Sequence, residues 1–139
     1  FPRQTMRFLS LRDMHQFEKL KIWQKAMDIA VHVYEISNFL PNDEKFNLIH
    51  QIKKCAVSIP SNIAEGSGRN SDKEFVQFLG IANGSTFELI TQLILAKRLN
   101  LVSEELIQPT INQLVEVSNM NFSFQKSLKE KINANIGKS

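Results

Sequence analysis

One cysteine, Cys55, is all the thiol that this 139-residue chain carries. A lone thiol forms no intramolecular disulfide and builds no cysteine-based metal site, and it suits a reducing, cytosolic setting. There is no internal repeat, low-complexity tract or interdomain linker, so the length reads as one domain, large enough to bury a core unaided. No apolar run of export length opens the chain: residues 1–13 hold Arg3, Arg7 and Arg12 and read as a non-native or disordered extension, with Met14 the better start. A strong charge of one sign is missing too. Lys and Arg number 17 against 14 Asp and Glu, a net of +3. Taking away residues 1–13 removes three Arg and one Asp, which leaves 14 against 13, or +1. A strongly basic domain would point to nucleic acid; this one is close to neutral.

Four prolines and five glycines are few enough to be read one at a time as punctuation between helical patterns. The first pattern covers residues 17–38. On a helical wheel Leu20, Ile22, Trp23, Ala26, Ile29 and Val33, with Met27, Ala30, Tyr34 and Ile36, fill an apolar arc of about 200°, roughly twice what a helix on the outside of a lone bundle needs. The opposite stripe carries Lys21, Lys25, Asp28, His32 and Glu35. Pro41 and Asn42 stop this helix. The second starts near Asp43 as N-cap and runs through Phe46, Ile49, Ile52 and Ala56. Pro60 either kinks it or ends it, and because residues 61–65 can continue the helix the kink is preferred, with Ser58 and Ser61 bonding to the freed backbone groups. Gly66 and Gly68 are expected to close it in the left-handed conformation.

Ser71 and Glu74 form a capping box that opens the third helix. From 75 to 96 its one charge is Glu88. One face holds Phe75, Phe78, Leu79, Ala82, Leu89 and Leu93; the other holds Gly80, Gly84, Ser85 and Thr91 beside Ile81 and Leu95. A membrane span is the first rival, but Gln77, Asn83, Glu88 and Gln92 make the segment too polar for one. The expectation is a helix enclosed by protein on nearly all sides, with Gly80 and Gly84 letting another backbone approach. The fourth helix runs from the Ser103 cap to about Ile132, with some distortion at Pro109, and residues 133–139 read as a frayed tail. The sum is an all-α, antiparallel up-and-down four-helix bundle over residues 14–132 with a proline-kinked second helix. Surplus apolar surface on the first and third helices predicts that bundles associate.

Catalytic chemistry is thin. His32, between Asp28 and Glu35, reads as a solvated pairing rather than a metal ligand, because a metal needs three or four convergent groups. His50 reads as surface, Ser123-x-x-Lys126 as a chance match, and Cys55 as a small hydrophobe. Glu65-Gly66-Ser67-Gly68-Arg69 could hold a phosphate but lacks the spacing of either standard glycine-rich nucleotide loop, so an interhelix turn with a Glu65–Arg69 contact is preferred. A polar network is expected from Lys53, Ser58, Asn62, Glu65, Arg69 and Glu88, in which Lys53, Arg69 or a neighbouring subunit neutralises Glu88. No metal, cofactor or catalytic residue is expected.

The segment QIKKCAVSIPSNIAEGSGR at 51–69 is dense in small polar residues around a proline. With Phe17-x-x-Leu20-x-x-Trp23-x-x-Ala26, Ser71-x-x-Glu74-Phe75, and Ile81-Ala82-x-Gly84-Ser85 followed by Glu88 and Gln92-Leu93, it resembles the bacterial four-helix-bundle proteins of 23S rRNA intervening sequences, over roughly residues 15–130. The resemblance implies a bundle that assembles as a ring-like homopentamer, without established enzymatic activity. It also implies kinship with the accessory protein of diversity-generating retroelements, which binds nucleic acid and a reverse transcriptase across a basic pentameric surface. Two function classes follow. One is a cytoplasmic RNA- or DNA-binding accessory protein, with Lys53, Lys54, Arg69, Lys73, Lys97 and Arg98 as candidate phosphate contacts. The other is a protein-interaction or structural scaffold.

Overall fold

The computed structural model describes residues 17–44 and 47–137. Four helices run through them: α1 (Lys21–Ser37), α2 (Leu48–Ser67), α3 (Asp72–Arg98) and α4 (Glu104–Gly137), with a short 3-10 turn at Asn42–Glu44. No strand occurs among the described residues. The extension at 1–13, the preferred start at Met14, the apolar place expected for Phe46 and residues 138–139 of the expected tail lie outside them.

The helices pack in a square, α2 between α1 and α3 and α4 between α3 and α1, while the diagonal backbones stay apart. Side-chain bonds fix the directions. His32 meets Gln113 and Lys25 meets Glu116, so α1 and α4 run opposite ways. Asn83 accepts from Ser118 and the Leu79 carbonyl accepts from Asn121, which sets α3 against α4 in the same sense. The bundle is therefore antiparallel and all-α. Its core is a column of fully buried aliphatics, Ile29 and Val33 from α1, Ile52 and Ile59 from α2, Leu89 from α3 and Leu114 from α4 among them. Each contributes about 1.5–3 kcal/mol relative to an exposed position.

Where the helices begin and end differs from the wheel in instructive ways. Leu20 is extended (φ −72°, ψ 121°), so α1 starts at Lys21 rather than at residue 17. Phe17 instead stands edge-on against Trp23, ring centroids 5.1 Å apart, and Gln24 Nε2 donates to the Glu18 carbonyl. Asp43 is not the N-cap of α2; it lies in the 3-10 turn, and α2 begins at Leu48 because Asn47 leaves helical geometry (φ −108°, ψ −97°). Pro60 is buried inside α2, which continues past it to Ser67, so the proline does not end the helix. Ser58 and Ser61 do not take the expected roles. Ser58 turns sideways to Ser85, Asn62 Nδ2 donates to the Ser58 carbonyl at 2.8 Å, and Ser61 is exposed.

The glycines closing α2 also act differently from expectation. No described glycine has a positive φ, and Gly68 is right-handed (φ −85°, ψ −3°). Gly66 is required for proximity: a Cβ there would stand 2.7 Å from Phe78 Cβ and 2.8 Å from Phe75 Cδ1. The left-handed residue lies at the other end of the bundle. Asn100 (φ 59°) follows α3, where Leu101 N–H bonds to the Ala96 carbonyl and Asn100 N–H to that of Lys97, a Schellman closure. Half of the capping box is as read: Ser71 Oγ accepts from Glu74 N–H at 3.2 Å, while the Glu74 carboxylate meets the Ser71 hydroxyl rather than its N–H. Ser103 Oγ likewise accepts from Leu106 N–H, at 3.3 Å. Helix α4 runs through Pro109 and past Ile132 to Gly137.

Candidate functional site

Four places invite a functional reading, beginning with the turn between α2 and α3. Gly66, Ser67, Arg69, Lys73, Phe75 and Asn135 are among the residues lining a cleft of about 560 Å³ there. Its arginine is already engaged. Arg69 bonds to Glu65 at 3.0 Å, lies 3.9 Å from Glu74 and covers the Phe78 ring at 4.8 Å. Asp72, in the first turn of α3, pairs with Lys131 at 3.4 Å and sets a carboxylate where a phosphate would approach. The segment is an interhelix turn held by the Glu65–Arg69 contact.

The expected polar network divides into separate pieces. Asn62 Nδ2 donates to Ser58 Oγ at 3.0 Å, and Ser58 Oγ meets Ser85 Oγ at 2.9 Å, tying α2 to α3. Glu65 and Arg69 form their own pair at the turn. Lys53, half-buried, places its ammonium 4.9 Å from the centre of the Tyr34 ring. Glu88 is exposed, and among the described residues neither Lys53 nor Arg69 pairs with it. The expected neutralisation does not occur within the chain because the outer face of α3 is wet, so the carboxylate carries no burial cost to offset. Glu88 does act on Cys55. Burial first, then the nearby Glu88 carboxylate, push the Cys55 thiol up to about 11. A thiol kept protonated and buried is a poor nucleophile, in keeping with a packing role.

His32 is half-buried and uses Nδ1 to reach Gln113 Oε1 of α4 at 2.9 Å, rather than pairing along α1 with Asp28 or Glu35. His50, Ser123 and Lys126 are exposed. No group of three or more His, Cys, Asp or Glu side chains stands close enough to hold a metal among the described residues. Sequence reasoning missed the most buried polar side chain of α4. Asn121 is fully enclosed, donates to the Leu79 carbonyl at 2.8 Å and accepts from Gln125 at 2.6 Å. The signal was present: Asn121 interrupts the apolar stripe of Leu114, Val117, Phe124 and Leu128 at helical spacing.

The six candidate cations do not form one patch. Arg69 and Lys73 lie at the α2–α3 turn, whereas Lys97 and Arg98 end α3, about 35–40 Å away at 1.5 Å per residue. Lys53 and Lys54 sit between them on α2. Lys97 is held by Glu104 at 3.3 Å, while Lys54, Lys73 and Arg98 pair with no carboxylate among the described residues.

Apolar surface is the most conspicuous feature. Along the seam of α1 and α2, two adjoining hollows of about 450 and 380 Å³ share Met27 and Ala30. Together they form one trough lined by Trp23, Val31, Tyr34, Val57 and Pro60 besides. On the outer side of α3, Ile81, Phe87, Ile94 and Leu95 are exposed, Ile81 and Phe87 by more than half. Within a single chain α3 is therefore not enclosed on nearly all sides. A Cβ at Gly80 or Gly84 would meet nothing within 4 Å. By length and mean hydropathy, 1.3 over its most apolar window, α3 is a helix that could cross a membrane. Its Leu79, Ala82, Leu89 and Leu93 are nevertheless packed inside the bundle.

A protein of unknown function from the S23 ribosomal protein family of Bacteroides thetaiotaomicron VPI-5482 has a similar structure, with a TM-score of 0.71 and 27% identity. The match covers 76% of this chain and 98% of that one. No curated protein is similar enough to count as a match. A model of the 23S rRNA-intervening sequence proteins matches residues 18–123, the span that contains α1, α2, α3 and the first half of α4. The chain belongs to the 23S rRNA-intervening sequence protein family.

Proposed function

We propose that this protein acts without catalysis, as a self-associating bundle whose assembled form is the functional unit. The observation that carries the reading is the pair of apolar faces that the described residues leave open, the α1–α2 trough and the outer side of α3. Soluble monomers seldom leave contiguous apolar patches of this kind uncovered, and such patches mark interaction sites. The stoichiometry we propose is the ring of five subunits that the family resemblance implies.

The role proposed for the ring is that of a cytoplasmic accessory factor for RNA or DNA. The family's own description ties its members to intervening sequences of 23S rRNA. Lys54, Lys73 and Arg98 are cations that no carboxylate of the described residues neutralises, and a ring repeats each of them. Kinship with the retroelement accessory protein belongs to this same proposal. The division of the cations between two ends favours a second reading, in which the ring is a scaffold for a protein partner.

Sedimentation velocity over a range of micromolar concentrations tests the assembly. The expected result is a discrete oligomer whose mass is a whole multiple of the 16.0 kDa subunit. A folded species of subunit mass throughout that range would overturn the proposal.

A further inference from the structure

The two open faces differ in shape and in charge. The α1–α2 trough is concave, and among the described residues its one cation is Lys53, whose ammonium sits over Tyr34. Glu35 stands at its rim but is not within ion-pair distance of Lys53. The outer side of α3 is a ridge. Ile81 and Leu95 flank Gly84 on the side toward α2, Phe87 and Ile94 flank it on the other, and the one charge among them is Glu88. At 1.5 Å per residue the trough from Trp23 to Tyr34 spans about 17 Å and the ridge from Ile81 to Leu95 about 21 Å. The lengths match.

From these observations we infer that the α3 ridge of one subunit seats in the α1–α2 trough of a second copy, bringing Glu88 to the Lys53 of its neighbour. This pairing rests on the self-association proposed above and names the surfaces that perform it. The occupant is a second copy because each face lacks what the other supplies. The trough has a half-buried cation that no carboxylate of the described residues pairs with, the rim Glu35 included, and the ridge has a carboxylate that no described cation pairs with. Gly80 and Gly84 keep the ridge low enough for a helix backbone to come close.

Symmetry follows from charge. A two-fold pairing of trough with trough would bring two Lys53 into one interface, and ridge with ridge would bring two Glu88. Like charges disfavour both. Trough against ridge is a heterologous contact, in which every subunit both gives and receives and the chain of contacts closes into a ring when the rotation allows. Lys53 then serves the interface and leaves the set of candidate phosphate contacts.

Charge reversal with mixing tests the inference. Glu88→Lys and Lys53→Glu are made in separate chains, checked for helical content and melting, and sedimented alone and at a one-to-one ratio. Each alone is expected to raise the subunit dissociation constant about tenfold or more, since it sets like charges face to face. The mixture is expected to reassemble. The lysine introduced at position 88 of one chain meets the glutamate introduced at position 53 of the other, while the unaltered Glu88 meets the unaltered Lys53. Strict alternation cannot close an odd ring, so the reassembled species is an even ring or an open chain of subunits. Loss of assembly in only one of the two variants would indicate a two-fold interface and overturn the inference, as would a mixture that stays dissociated. Wild-type oligomers indifferent to both reversals would overturn this pairing while sparing self-association; a wild-type single subunit would end both. Should a reversal prevent folding, Glu88→Gln and Lys53→Gln are read in the same way, with smaller losses expected and indifference of both equally fatal.

Discussion

Gly66 and Asn100 exchange the roles that residue type alone would give them. Glycine beside a helix end suggests left-handed backbone, yet Gly66 is in ordinary helical geometry and buried under the next helix. Its requirement comes from Phe75 and Phe78, whose atoms would stand within 3 Å of a Cβ. Those aromatics belong to α3, so the constraint is tertiary and leaves no mark in the local pattern. Replacing Gly66 by Ala forces backbone or the base of an aromatic side chain to move, and overpacking of this kind costs about 1–3 kcal/mol. The expected outcome is a helical protein whose thermal midpoint drops by several degrees in a circular dichroism melt. A midpoint equal to wild type would show that α2 and α3 part there at no cost.

At the scale of the element, periodicity identified all four helices, because the residues that fill the core recur at helical spacing whatever lies around them. The ends were less legible. Helix α2 starts after Asn47 rather than at Asp43 because the 3-10 turn intervenes, and no residue in the intervening stretch announces it. The surplus apolar surface of α1 was legible and is visible as the exposed Met27 and Tyr34, with Val31, which lies outside the arc read from the wheel, exposed beside them. What could not be read was how far one chain covers α3, since a wheel shows that a face is apolar but not what packs on it. Gly80 and Gly84 make this testable. Each costs the helix about 1 kcal/mol against alanine, and in the isolated subunit nothing repays it, as a Cβ at either position meets open space. Gly80→Ala with Gly84→Ala is therefore expected to raise the melting temperature of the dissociated subunit. In sedimentation the same pair is expected to weaken association, because the added methyls lift the approaching backbone. Stabilised subunits with undiminished association would show that the glycines face no neighbour.

For the molecule as a whole, the cations decide how a nucleic acid could be held. Wheel and charge count identified the basic residues but not their distribution, which depends on the antiparallel packing that sends α3 from one rim to the other. Lys73 stands near one rim and Arg98 at the opposite one, some 37 Å along the helix. Of the three unpaired candidates, Lys54, Lys73 and Arg98, one strand following a rim thus meets about one per subunit. For single strands the logarithm of affinity falls with that of salt by about 0.7 per neutralised phosphate. A ring of five would then give a slope of about −3 to −4. Fluorescence anisotropy of a labelled single-stranded RNA, titrated at several salt concentrations, is expected to show that slope with the wild-type oligomer. Lys73→Glu or Arg98→Glu, whichever marks the bound rim, should flatten it, and the other should leave it alone. Absence of binding at about 50 mM salt, where counterion release favours it most, would remove nucleic acid from the account and leave the protein scaffold as the role of the ring.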